Sequence, residues 1–92
     1  MPNDGVNARP EDVEKLASAL GTYQQEVASA GKKMQAALGA AYWHDGQKDK
    51  FEARYRDLQK SIDRFMSGEI NSMIKGLREL ARRLNEIRSM RM

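Results

Sequence analysis

The chain has 92 residues, of which 40% are apolar, 32% charged and 7% aromatic, with no cysteine and one histidine. This excludes a disulfide framework, thiolate metal sites and thiol chemistry, and the length fits one domain at most. The net charge of +3 is unevenly placed: residues 1–46 carry 4 basic and 6 acidic groups, residues 47–92 carry 12 and 7. No apolar run approaches the ~18–20 residues that span a bilayer. Met1-Pro2-Asn3-Asp4-Gly5 lacks the basic and apolar regions of a signal peptide, so the expectation is synthesis in the cytoplasm without a cleaved signal.

Residues 1–8 read as a flexible lead, with Pro, Asn, Asp and Gly and no periodicity. Pro10 suits the first turn of a helix, where a missing N–H does no harm, and Glu11, Asp12 and Glu14 carry the sign that a helix N-terminus favours. From there Val13, Leu16, Leu20, Tyr23, Val27, Ala30, Met34, Ala37 and Ala41 alternate at steps of three and four, a heptad seam that predicts a helix over about 10–42. Gly21, Gly31 and Gly39 lower its intrinsic helicity by up to ~1 kcal/mol each. With Ala17, Ala28, Ala36 and Ala40 they also leave a narrow helix that a neighbour can approach closely.

The seam stops at Trp43-His44-Asp45-Gly46, where Asp-Gly signals a turn and Asp45 is placed to cap the next helix. Periodicity resumes with Phe51, Tyr55, Leu58, Ile62 and Phe65. Continuing that register fails, since it puts Glu69, Ser72, Gly76 and Glu79 in the seam. Advancing by one residue restores it as Met66, Ile70, Met73, Leu77, Leu80, Leu84 and Ile87. The second helix, about 47–88, therefore contains a one-residue skip beside Gly68, which predicts a bend or a π-bulge near 65–68. No stretch alternates with period two, so no strand is expected.

The fold expected is all-α: a single domain over 1–92, built as an antiparallel hairpin of two helices joined by a tight turn at 43–46. At 1.5 Å per residue the helices run roughly 50 Å and 60 Å, so the second overhangs the first and carries its basic residues beyond it. One hairpin hides only part of each apolar face. Two hairpins packed as a four-helix bundle cover the rest. The seam residues expected in the core or at that dimer contact are Val13, Leu16, Leu20, Tyr23, Val27, Met34, Leu58, Ile62, Ile70, Met73, Leu77, Leu80 and Leu84. An apolar seam without a buried Asn or charge confers little partner choice, which favours a homodimer over a heterodimer.

The inventory of reactive groups is thin. His44 is the sole histidine, so a two-histidine zinc site within one chain is impossible, and no serine sits in a nucleophile-elbow sequence. Gly31 precedes Lys32-Lys33 without the spacing of a phosphate-binding loop. Carboxylates such as Asp49 and Glu52 fall beside basic residues at helical spacing, as on a solvated surface. No enzymatic activity, metal or cofactor is expected.

Trp43, the only tryptophan, falls where the helices meet, with Tyr42 before it and Phe51 eight residues on. It reads either as a plug for the end of the hairpin or as a plug that also anchors recognition. A chain of about a hundred residues with no cysteine, two long helices and this Trp turn resembles the Trp-X-Gly (WXG) superfamily of small type VII secretion substrates in bacteria. The likeness spans about Pro10 to Arg88, and its specific part is Trp43-His44-Asp45-Gly46 followed by Phe51. Asp45 stands where the family has glycine, with Gly46 one later. The family's Tyr-x-x-x-Asp/Glu signal has no counterpart after Trp43, since Tyr55 is followed four later by Gln59. What the resemblance implies is a hairpin that pairs with a copy or a sister protein as a four-helix bundle, acts as an adaptor or effector, and leaves the cell by a type VII-like route. By the same resemblance Trp43, Asp45, Gly46 and Phe51 would meet the secretion machinery.

Two alternatives stand beside this one. The first is a cytoplasmic helical adaptor with no export. The second is nucleic-acid or membrane-surface binding through Lys75, Arg78, Arg82, Arg83, Arg88 and Arg91. Against nucleic acid, no aromatic accompanies those cations to stack on bases.

Overall fold

The computed structural model describes residues 8–90, and within them the chain is an antiparallel helical hairpin. Helix α1 spans Pro10–Ala40, α2 spans Gly46–Phe65, a π-helical turn occupies Met66–Ile70, and α3 spans Asn71–Met90. No strand is present among the described residues. The lead at residues 1–7, and Arg91 of the basic group, lie outside the described residues.

Each start has a local cause. At α1, the Arg9 carbonyl accepts from the Asp12 and Val13 amides at 3.0 and 3.1 Å, Pro10 takes a position that needs no donor, and Glu11 and Asp12 face the positive end of the dipole. At α2, the Asp45 carboxylate accepts from the Gln47 and Lys48 amides at 2.9 and 3.1 Å, the geometry of an N-cap.

The second helix does not break at Gly68. Phe65 (φ −64°, ψ −44°) and Asn71 (φ −61°, ψ −39°), which flank the π-turn, are both helical, so α2, the π-turn and α3 form one continuous rod. The π-turn sits where the apolar pattern skips a residue. A wider turn absorbs one extra residue without rotating the helix face, and so keeps both halves of the pattern aligned.

Apart from Pro10, the buried residues form two small clusters. Val13 packs with Ala81 and Leu84, Ala17 packs with Ile70 and Ile74, and Leu77 lies against both. Every one joins the first half of α1 to the π-turn or α3; α2 contributes no buried residue. Ala17 and Ala81 are wholly buried, which shows that alanines carry the close approach between the helices. The glycines do so less than expected: a Cβ on Gly21 or Gly39 would meet nothing within 4 Å, and one on Gly31 would meet only the Gln59 side chain, at 3.3 Å.

Two expectations are corrected. Helix α1 stops at Ala40 rather than 42, and Ala41 (φ −70°, ψ 135°) turns the chain into an extended connector over 41–45, so Gly46 begins α2 instead of closing a tight turn at 43–46. The second rod does not overhang at its basic end either. The Arg88 guanidinium reaches the Glu11 carboxylate at 2.7 and 3.3 Å, which levels the end of α3 with the start of α1. At the opposite end Gln35, Leu38 and Gly39 of α1 share a cleft with Glu52, Tyr55 and Arg56, so α2 runs past the end of α1 by about 10 Å at 1.5 Å per residue, and the connector spans that distance. The long dimension of 69 Å is that of the second rod.

Candidate functional site: an aromatic tip and an open apolar face

At the connector end three aromatic rings form a short row. The Trp43 and Phe51 centroids are 6.0 Å apart with planes tilted 38°, and Phe51 stacks on Tyr55 at 6.5 Å. The helical spacing of Phe51 and Tyr55 puts both on one side of α2, and the connector lays Trp43 over them. Trp43 is 36% exposed and Phe51 38%, so the row is a half-buried surface and not a sealed plug. A shallow cleft beside it brings Lys50 and Arg54 next to these two rings. Asp45 is committed to its capping bonds, and Gly46 is the first residue of α2 with open space around it. Tyr42, 95% exposed, makes only an edge contact with His44 at 5.2 Å.

From Tyr55 a polar chain runs down α2. The Tyr55 hydroxyl lies 2.9 Å from Gln59 Oε1 and 3.5 Å from the Gly31 carbonyl, and Gln59 Nε2 donates to Asp63 at 2.9 Å. Further along, Gln24 of α1 donates to the Met66 carbonyl at 2.9 Å and to Asn71 Oδ1 at 2.7 Å. Gln24, Gln59, Asp63, Ser67 and Asn71 border one cleft between the helices, and Glu14, Arg78, Arg82 and Glu86 border another on α3. These residues make one broad face of the hairpin polar.

The other broad face is apolar. The thirteen seam residues divide sharply. Val13, Ile70 and Leu84 are buried, and Leu20, Val27, Ile62 and Leu77 are half-buried between the rods. Leu16, Tyr23, Met34, Leu58, Met73 and Leu80 are exposed, as are Phe65 and Ile87. Tyr23 and Phe65 line a common apolar groove with Val27 and Ile62, which brings the exposed rows of the two rods to the same side. Ile74, Ala17 and Ala81, absent from the predicted seam, are among the most deeply buried side chains. The signal for two of them was present: Ile70, Ile74, Leu77, Ala81 and Leu84 also follow steps of four and three.

The basic residues of α3 are less available than their number implies. Arg82 pairs with Glu79 and, at 2.8 Å, with Glu86; Arg83 lies 3.5 Å from Glu79; Arg88 pairs with Glu11. The Arg88 hydrogen bond holds the Glu11 carboxyl down to about 2, and the Arg82 hydrogen bond lowers that of Glu79. Lys75 and Arg78 take part in no ion pair among the described residues. Among the described residues no cluster of three His, Cys, Asp or Glu side chains is placed to hold a metal ion, and no helix is long and apolar enough to cross a membrane. Compared with family models, curated proteins and solved structures, the chain matches none.

Proposed function

We propose that this chain is a non-enzymatic, WXG-like interaction protein that pairs with a second copy of itself as a four-helix bundle and offers its Trp43 tip to a type VII-like secretion apparatus. The observation that carries the pairing is the exposed row Leu58, Phe65, Met73, Leu80 and Ile87, an apolar surface stepped by seven residues except for the eight from Phe65 to Met73, with nothing over it among the described residues. Scattered exposed apolar residues are ordinary, but a continuous row is the mark of an interaction site. For the tip, the support is the half-exposed Trp43 and Phe51 beside Lys50 and Arg54, a surface suited to a partner that presents apolar and acidic groups. A sister hairpin in place of a second copy uses the same surface.

Light-scattering mass after size exclusion tests the pairing. The expected result is a species of twice the monomer mass, unchanged at high salt because the row is apolar. A monomer at all concentrations removes the homodimer and directs the search to a sister hairpin. Export is tested separately, by following Trp43→Ala and the wild-type chain into the culture medium of a strain with a type VII system. A chain retained in the cell in both forms leaves a cytoplasmic adaptor. The reading as a nucleic-acid or membrane-surface binder is less well supported, because Arg82, Arg83 and Arg88 already have carboxylate partners.

A further inference from the structure

We infer that the second half of α1, from Ala28 to Ala40, is an order–disorder element: it unwinds away from α2 as a unit while the first half of α1 and the second rod stay folded, and its unwinding releases Trp43 from Phe51. The lability is independent of pairing and of export. Only the use made of a released Trp43 rests on the reading of the tip as a recognition surface. The two halves of α1 are held very unequally. The first half buries Pro10, Val13 and Ala17, and Glu11 ties its start to Arg88. Gln24 then fastens it to the π-turn and to Asn71. Beyond that point support ends. Between Ala28 and Ala40 no residue is buried, and only Gly31 and Leu38 are half-buried. The main chain of α1 packs closely on α3 but scarcely on α2. Among the described residues, the one hydrogen bond from this stretch to the second rod is the long one that the Gly31 carbonyl accepts from Tyr55, at 3.5 Å. No ion pair joins the two there.

The local sequence weakens the same stretch. Gly31 and Gly39 are poor helix formers, and packing requires neither: a Cβ on Gly39 would meet nothing within 4 Å, and one on Gly31 only the end of the Gln59 side chain. No basic residue stands in the last turn to meet the negative end of the dipole. The chain leaves extended at Ala41, without the glycine cap that satisfies terminal carbonyls. So short a length of helix is marginal in water without tertiary support. The facing part of α2 has the opposite character. Asp45 caps it, and no glycine falls between Gln47 and Ser67. The pairs Lys48–Glu52, Tyr55–Gln59 and Gln59–Asp63 brace it at spacings of four. It therefore keeps its shape when α1 leaves it. Trp43 follows α1 because it sits on the connector between Ala40 and the Asp45 cap, and its ring lies over Phe51 only while the end of α1 holds the connector there. Segments with few buried contacts open first, and order–disorder of one segment is a common form of switch.

Hydrogen exchange of the full chain, together with acrylamide quenching of its single tryptophan, tests this. In the wild type the amides of Lys32 to Ala36 should exchange at least about tenfold faster than those of Ala17, Ile74 and the facing Tyr55 to Ile62. Ordinary fraying would reach only the last turn, beyond Ala36. Gly31→Ala and Gly39→Ala together should slow exchange from Lys32 to Ala36 by about tenfold or more, leave Ala17 and Ile74 unchanged, and reduce quenching of Trp43. Gly39→Ala alone, where the new methyl has open space, should act in the same direction by a fewfold and keeps the test free of the Gln59 contact. Gly76→Ala, also in open space but on α3, should alter neither readout. Wild-type protection at Lys32 to Ala36 equal to that at Ala17 would overturn the inference. So would alanine variants that slow exchange equally along the whole chain, since the hairpin would then open as one body. Slower exchange with unchanged quenching would remove the release of Trp43. Failure of the chain to be exported would leave both readouts standing, so the reading of the tip and this inference fail separately.

Discussion

The side-chain amide of Gln24 spans the hairpin and donates to the main-chain carbonyl of Met66 at 2.9 Å. Met66 opens the π-turn, where widened hydrogen bonding leaves carbonyls in need of other donors. The same amide donates to Asn71 Oδ1, so one side chain of α1 holds both ends of the irregular turn. The polar link thus fixes the axial register of two rods whose apolar seams alone would tolerate sliding.

Gln24→Ala should therefore cost about 1–2 kcal/mol in urea unfolding, the worth of one or two part-exposed hydrogen bonds. Gln24→Glu should cost more at neutral pH, since its carboxylate would face two oxygen acceptors with nothing to donate. Acidification should narrow the gap between Gln24→Glu and Gln24→Ala, as protonation restores one donor. Equal stability of the two variants at pH 7 would show that Gln24 carries no such role.

Deletion of Gly68 probes the π-turn itself. A Cβ at this glycine would meet nothing within 4 Å, so no steric contact is lost with it. The shortened rod has a plain heptad from Leu58 to Ile87 and can run as unbroken α-helix. Helicity should be retained, and stability should change by no more than the Gln24 bonds are worth, about 1–2 kcal/mol. A chain that unfolds after this deletion would mean that the π-turn does more than absorb one residue.

Much of this was legible from spacing. The three-four steps from Val13 onward mark α1, and the failed register after Phe65 marks the place of the π-turn. Burial within the rods was less legible. Between Met66 and Ile87 two rows share the rod: Met73, Leu80 and Ile87 point outward, and Ile74, Ala81 and Leu84 point to α1. Both rows obey helical periodicity, and only the neighbouring rod decides which is inside. Ala81 was harder to weigh for a further reason: its methyl is only weakly apolar, yet the close approach of the rods requires it to be wholly buried. The course of the connector was hidden, because Asp-Gly reads as a turn whether the residues before it are compact or extended. The half-exposure of Trp43 depends on that same connector.

The connector end yields a paired prediction. Asp45→Ala removes the cap of α2 and should cost about 1 kcal/mol, while Asp45→Asn, which still accepts from the Gln47 and Lys48 amides, should cost less. Trp43→Ala removes a ring about two-thirds buried against Phe51 and should cost about 1–3 kcal/mol. Thermal denaturation of the three variants checks the order. A Trp43→Ala chain as stable as the wild type would make the indole purely a recognition surface.

Acid should act most directly where the start of α1 meets the end of α3. Glu11 is held down to about 2 from an ordinary 4.5, first by the Arg88 hydrogen bond. A carboxyl depressed in the folded state stabilises it above the unfolded value and loses that contribution as pH falls toward the folded one. The Glu11–Arg88 contribution is therefore whole above about pH 5 and disappears between pH 4.5 and 2. Both side chains are more than half exposed, so it is small and weakened by salt. Glu11→Gln should be slightly less stable than the wild type at pH 6 in low salt, and the two should converge near pH 2 or in 1 M salt. Hydrogen exchange gives the local version of the test, with faster exchange in the last turn of α3 and the first turn of α1 for Glu11→Gln and unchanged exchange at Ala17 and Ile74, which no ion pair supports. A stability difference that persists unchanged at pH 2 would assign the effect of Glu11 to the start of α1 instead of to its bond with Arg88.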